Sequence, residues 1–178
     1  MKIKLPTALC VCLAIVLVAF GLLYGTWSGY REDLAQVEKL LTMENGLLDV
    51  LRYRAADGLN LCAVAKRHLP ADDAELEKLE AIARQLQQAG KLEPELDAAL
   101  VQAVDAVSAK LKENEGFLQS QRDQRYLDML LADMASLRGS EVVNTYNQAA
   151  EAFNKQMDAF LAGDLAGLLG IEKCPLYQ

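Results

Sequence analysis

Apolar side chains recur along this chain with the period of an α-helix, most clearly from Val143 to Phe160. Val143, Tyr146, Ala150, Phe153, Met157 and Phe160 follow one another at spacings of three and four. That spacing puts all six on one stripe of a helix. A phrase repeats inside the stripe after one heptad: Tyr146-Asn147, then Phe153-Asn154. The aromatics lie on the stripe and each Asn at its flank. There an amide either bonds a facing helix and fixes register, or faces water at a bundle edge.

A longer stripe runs through Leu34, Val37, Leu41, Glu44, Leu48, Leu51, Ala55, Gly58, Cys62, Ala65 and Leu69. It predicts one long helix from near Tyr30 to Leu69, interrupted in composition only by Glu44 and Gly58, and stopped by Pro70. From Ala55 to Ala65 nearly every residue is small or apolar, as in a helix surrounded by others. Asn60 sits in that run, so its burial would demand a hydrogen-bond partner. Asp72, with Glu75 three residues on, is the expected cap of a short helix carrying Leu76, Leu79, Ile82, Ala83, Leu86 and Ala89 inward. Gly90 is its expected stop. Pro94 opens a second short helix whose core side is Leu96, Leu100, Ala103, Val104, Val107 and Leu111. The last long helix should start near Asn114 to Phe117 and reach Leu161. Its stripe of Leu127, Leu130, Met134 and Leu137 would next bury Glu141 and Asn144, yet apolar residues resume at Val143. Such a phase change needs a break, and Gly139 between Ser136 and Ser140 is the expected place.

The first thirty residues differ in kind. No charged residue lies between Thr7 and Gly25, a run long enough to cross a bilayer as a helix. Lys2 and Lys4 precede it, and Arg31, Glu32 and Asp33 follow, a bias that favours a cytoplasmic N-terminus and an exported body. Tyr24, Trp27 and Tyr30 suit the outer membrane interface. A cleaved signal peptide is the competing reading, with Ala19 and Gly21 as the small residues it needs. Cys10 and Cys12 follow Leu9 and Val11 where a lipid-anchor site would want a small residue, so both are expected within the span. No Pro separates span and body, so the two are expected either as one continuous helix or with flex points at Gly25 and Gly29.

The chain of 178 residues carries a net charge of −7, and setting aside Lys2 and Lys4 leaves −9 on the exported part. That acidity opposes binding to nucleic acid or anionic surface polymers. His68 is the one histidine, with no second His or Cys at ligand spacing, so no metal or other cofactor is expected. The acidic runs at Asp72 to Glu77 and Glu113 to Glu115 lie at helix starts, where carboxylates complement the dipole. Ser108, Ser120, Ser136 and Ser140 have no local mark of an activated nucleophile, and there is no phosphate loop. No catalytic activity is expected. Cys62 and Cys174 are expected to stay unlinked, since the two should lie at opposite ends of the body.

The residues gathered so far also resemble the LemA family of membrane-anchored bacterial proteins. The resemblance rests on Tyr146-Asn147 and Phe153-Asn154 with the Ala166 to Gly170 tail. Arg54, Asn60-Leu61 and Lys66 add to it at matching spacing, as does the turn phrase Leu111-Lys112, Asn114-Glu115, Phe117-Leu118. The chain departs from the family at Glu44, Tyr53, Ala56 and Leu59, and is about two helical turns longer between Asn114 and Tyr146. The resemblance implies that Arg54, Asn60, Lys66, Asn114, Phe117, Tyr146, Asn147, Phe153 and Asn154 are the interaction candidates.

The expected architecture is all-α. A signal anchor over residues 1–29, with Leu5–Trp27 in the membrane, leads to an antiparallel four-helix bundle over 30–178, with two long and two short helices. The expected role is non-enzymatic, through contacts with an unidentified protein partner. The alternative is an extracytoplasmic ligand-sensing or accessory subunit. The tail from Leu165 to Ile171, started by Asp164, is expected to pack on the lower first helix or on lipid.

Overall fold

The computed structural model describes residues 7–158 and 162–177. Lys2, Lys4, Leu5, Phe160 and Leu161, named above, lie outside them, as do the side chains of Ala162 and Leu165. Among the described residues the chain is helical, without a strand: α1 (Thr7–Thr42), α2 (Leu47–Ala65), α3 (Ala74–Gln87), α4 (Pro94–Glu113), α5 (Glu115–Gln119), α6 (Gln121–Arg138), α7 (Glu141–Met157) and α8 (Ala162–Leu168). They form two compact units. One comprises Met1–Glu38 and Ala149–Cys174, the other Lys39–Gln148 and Pro175–Gln178.

In the larger unit α2 is the central helix. It packs on α3, α4 and α6, while α3 packs on α4 and α5 links α4 to α6. The expected stripe supplies the core: Leu48, Leu51, Ala55, Cys62 and Ala65 are buried, with Leu47, Leu61 and Val64 beside them. Gly58 belongs to this stripe because space is short there. A Cβ at Gly58 would stand 3.1 Å from Leu100 Cδ1 and 3.4 Å from Ala83 Cβ, so the missing side chain lets α3 and α4 come close. Leu76, Leu79, Ala83 and Leu86 of α3 meet Leu100, Ala103, Val104, Val107 and Leu111 of α4 in the buried core.

The predicted single helix from Tyr30 to Leu69 is two helices. The chain leaves α1 at Thr42 and re-enters helix at Leu47. Asn45 takes a left-handed φ of 57°, which Asn tolerates better than most residues. Its N–H donates to Asp49 Oδ2 at 2.9 Å. Gly46 is required next to it, since a Cβ there would fall 2.7 Å from the Met43 carbonyl oxygen. Glu44, which broke the stripe, lies in this turn. Gly25 and Gly29, the expected flex points, run inside an unbroken α1. At the other end α2 closes at Ala65 and a turn carries the chain to Pro70.

The first short helix is capped by Asp73 rather than Asp72. Asp73 Oδ1 accepts from the N–H groups of Glu75 and Leu76 at 3.0 and 3.2 Å. Lys110 Nζ, at 2.9 and 2.8 Å from its two oxygens, fixes that choice. Pro94 opens α4 as expected. The last predicted helix is three: Gly139 ends α6, as the phase change required, and Ser120 adds a break between α5 and α6. Gln124 donates its side-chain amide there to the carbonyls of Phe117 and Leu118 at 3.2 and 2.6 Å, occupying acceptors that a continuous helix would have used.

In the smaller unit, α1 carries Tyr30 to the end of α7. The Tyr30 hydroxyl donates to the Gln156 carbonyl at 2.9 Å, and its ring meets Phe153 edge-on with centroids 6.2 Å apart. Val37, Ala150, Phe153, Ala166, Ile171 and Cys174 are buried here. Earlier in α1 the apolar side chains have no protein cover: Ile15, Val16, Leu17, Val18, Phe20 and Leu22 are 62–68% exposed. This helix is long and apolar enough to cross a membrane. Asp164 stands inside the first turn of α8 rather than capping it. In the tail Ala166 and Ile171 are buried by protein, while Leu168 is 85% exposed.

Candidate functional site

Arg54 of α2 and Asp97 of α4 form an ion pair in the core of the larger unit. Arg54 Nη1 lies 2.7 Å from Asp97 Oδ2, and the two side chains are 2% and 4% exposed. Burial pushes the Asp97 carboxyl up and the Arg54 guanidinium down, against the attraction each exerts on the other. The pairing is single-stranded: Arg54 Nε and Asp97 Oδ1 are buried without a partner. Tyr177 covers the pair, with the Arg54 guanidinium carbon 5.8 Å from its ring centroid. Its own hydroxyl is also buried and unpartnered. A cavity of about 410 Å³ adjoins, lined by Glu95, Asp97, Gln102, Arg138 and Tyr177 among others. A second, of about 310 Å³, lies between α4 and α6 beside Arg54, Asp105 and Arg138.

Two α7 residues hold the segment that carries Tyr177. Asn147 donates from Nδ2 to the Tyr177 carbonyl at 2.7 Å and accepts the Tyr177 N–H at Oδ1 at 2.9 Å. Tyr146, 2% exposed, donates its hydroxyl to the Pro175 carbonyl at 2.9 Å. In the smaller unit Asn154 repeats the device on Cys174. Its Nδ2 donates to the Cys174 carbonyl at 2.8 Å, and its Oδ1 accepts the Cys174 N–H at 2.8 Å. Each amide uses a donor and an acceptor on one residue's backbone, so the Asn side chains neither bond a facing helix nor simply face water.

A third cluster lies where α2, α5 and α6 meet. Asn114 caps α5 by accepting the Phe117 N–H at 3.0 Å, and donates to the His68 carbonyl at 2.9 Å. Phe117 is buried and stands edge-on to the His68 ring at 5.4 Å. His68 Nε2 and Arg67 Nη1 each reach Asp123, at 2.8 Å. The His68 hydrogen bond, helped by Ser120 and Arg122, lowers the Asp123 carboxyl to about 2. These contacts stitch the α2 exit to the α6 start.

The structure thus joins Arg54, Tyr146 and Asn147 around one peptide segment, sets Phe153 and Asn154 beside Tyr30 and Cys174, and pairs Asn114 with Phe117. Asn60 and Lys66 belong to none of these groups. Asn60 is exposed and hydrogen-bonds Asp57, and exposed Lys66 pairs with Glu80 at 2.7 Å. Sequence reading passed over Asp97, Asp123 and the Cys174–Tyr177 segment. A carboxylate one position after Leu96, on an otherwise apolar face, was the available sign of the first.

No protein-family model, curated protein or solved structure matches this chain. Among the described residues no three His, Cys, Asp or Glu side chains converge as a metal site. The arrangement sets amide pairs on backbone and a guanidinium against a ring.

Proposed function

We propose that this chain is a membrane-anchored, LemA-like protein whose extracytoplasmic four-helix bundle of α2, α3, α4 and α6 acts through contacts with other proteins, without catalysis. The observation that carries the anchor is the bare apolar length of α1, Ile15 to Leu22, which is 62–68% exposed at its large side chains and which lipid would cover. The positive residues Lys2 and Lys4 before it, and the acidic body after it, support a cytoplasmic N-terminus. Support for protein contacts comes from Asn147 and Asn154, whose amides address peptide backbone. The test is photo-crosslinking of the anchored protein in intact cells, followed by identification of the adducts. Discrete protein adducts are expected; a protein that stays uncrosslinked from every exposed position would refute the reading. The cavity of about 410 Å³ beside Arg138 and Asp97 favours a second reading, a ligand-sensing body. A rise in Tm with small carboxylic acids, lost in Arg138→Ala, would support it.

A further inference from the structure

We propose that the seat of Tyr177 in the larger unit is a peptide-recognition site, which the chain's own Pro175–Tyr177 segment fills as a tethered pseudo-ligand. In trans it takes an extended segment of another protein that carries an aromatic residue in the Tyr177 position. This rests on the reading that the body works through protein contacts.

The hydrogen bonds of the seat read backbone. Tyr146 and Asn147 make three bonds to the segment, to the Pro175 carbonyl and to the N–H and carbonyl of Tyr177. All three end on backbone atoms. Any extended peptide presents the same atoms, so the clamps select conformation rather than sequence. Side-chain selection falls to one place, the Arg54 guanidinium face under the Tyr177 ring at 5.8 Å, which suits an aromatic. Pro175, lacking an N–H, fits a position where only a carbonyl is read.

The resident segment also fits incompletely. Beneath and around its ring Arg54 Nε, Asp97 Oδ1 and the Tyr177 hydroxyl are buried with no partner. Buried polar atoms are nearly always paired in a fully matched interface. The Tyr177 hydroxyl contributes no bond, so the ring is the only part of that side chain that helps the backbone clamps seat the segment. Gly170, at a φ of +73°, turns the chain after α8.

The test uses the full chain in detergent and a fluorescein-labelled peptide with the sequence of residues 171–178. A tail seated nine-tenths of the time or more raises the apparent Kd of a competing peptide about tenfold. Fluorescence anisotropy should therefore show tighter peptide binding to the Tyr177→Ala protein than to the unaltered one, by about tenfold or more. Asn147→Asp, added to Tyr177→Ala, keeps an acceptor for the N–H but loses the donor to the carbonyl, and should abolish the gain. A peptide with Phe for Tyr should bind as well; one with Ala should not. Equal, weak binding to both proteins, with circular dichroism showing both folded, would overturn the proposal. So would a concentration-dependent dimer of the unaltered chain that vanishes in Tyr177→Ala, since that assigns the seat to tail exchange between copies. In-cell crosslinking separates the two readings. Peptide binding without protein adducts refutes the functional reading alone, whereas adducts undiminished by Asn147→Asp refute this site alone.

Discussion

Removing one member of the Arg54–Asp97 pair should cost far more than removing both. Arg54→Met leaves a carboxylate 4% exposed with no cation against it, and Asp97→Leu leaves a buried guanidinium in the same position. Breaking a buried pair from one side costs about 3–5 kcal/mol, because the remaining charge keeps its desolvation penalty and loses its repayment. The double replacement removes both charges together with the two unpartnered atoms, Arg54 Nε and Asp97 Oδ1. Against that gain stand one charged hydrogen bond of 2.7 Å, worth about 1.5–3 kcal/mol, and the desolvated ring contact of Tyr177, worth about 2 kcal/mol. Burial outweighs mutual attraction for both groups. The double variant should therefore fall within about 1 kcal/mol of the unaltered chain, or exceed it. Urea unfolding of the full chain in detergent, followed at 222 nm, gives the four corners of the cycle with m-values to check two-state behaviour. Single variants that each cost under about 1 kcal/mol, or a double variant that costs their sum, would refute the assignment of a coupled, desolvated pair.

Phe153→Ala should cost about 3–5 kcal/mol, since the ring is 2% exposed against Tyr30; the same urea titration measures it. Asp123 has its carboxyl held near 2 by His68, below the ordinary value of about 3.9. Its contribution is therefore present above about pH 4 and lost as pH falls towards 2, so Asp123→Asn should flatten the acid limb of stability against pH. The Cys62 thiol, 2% exposed and pushed up to about 11 by burial, should resist a thiol reagent at pH 8 until urea opens the larger unit.

The helical period carried the stripes because burial there depends on spacing alone. Val143, Tyr146, Ala150 and Phe153 are buried where the pattern put them, and Gly139 breaks the helix where the phase slipped. The break before α2 was also written locally, in Asn45-Gly46, a dipeptide that favours a left-handed turn. The apolar stripe on either side masked it. Asp97 is a different matter. Its burial is permitted by Arg54, 43 positions away in sequence, and local pattern cannot report such a partner. The Cys174–Tyr177 segment has no periodicity, and Asn147 and Asn154 bind its backbone, which every sequence shares. The heptad phrase marked the clamps without revealing what they hold. Asp72 was the expected cap, and the cap falls one residue later because Asp73 is the carboxylate that Lys110 engages.

The placement of the helical body on the extracytoplasmic side of the membrane is the proposal on which the rest depends. Gln87→Cys puts a thiol on an exposed position at the end of α3, while Cys62 and Cys174 are buried and free. Intact cells are treated with a membrane-impermeant maleimide, and the protein is then recovered and its modification at position 87 measured by mass spectrometry. Modification in intact cells equal to that after lysis is the expected result. Modification only after lysis would put the body inside and contradict the account.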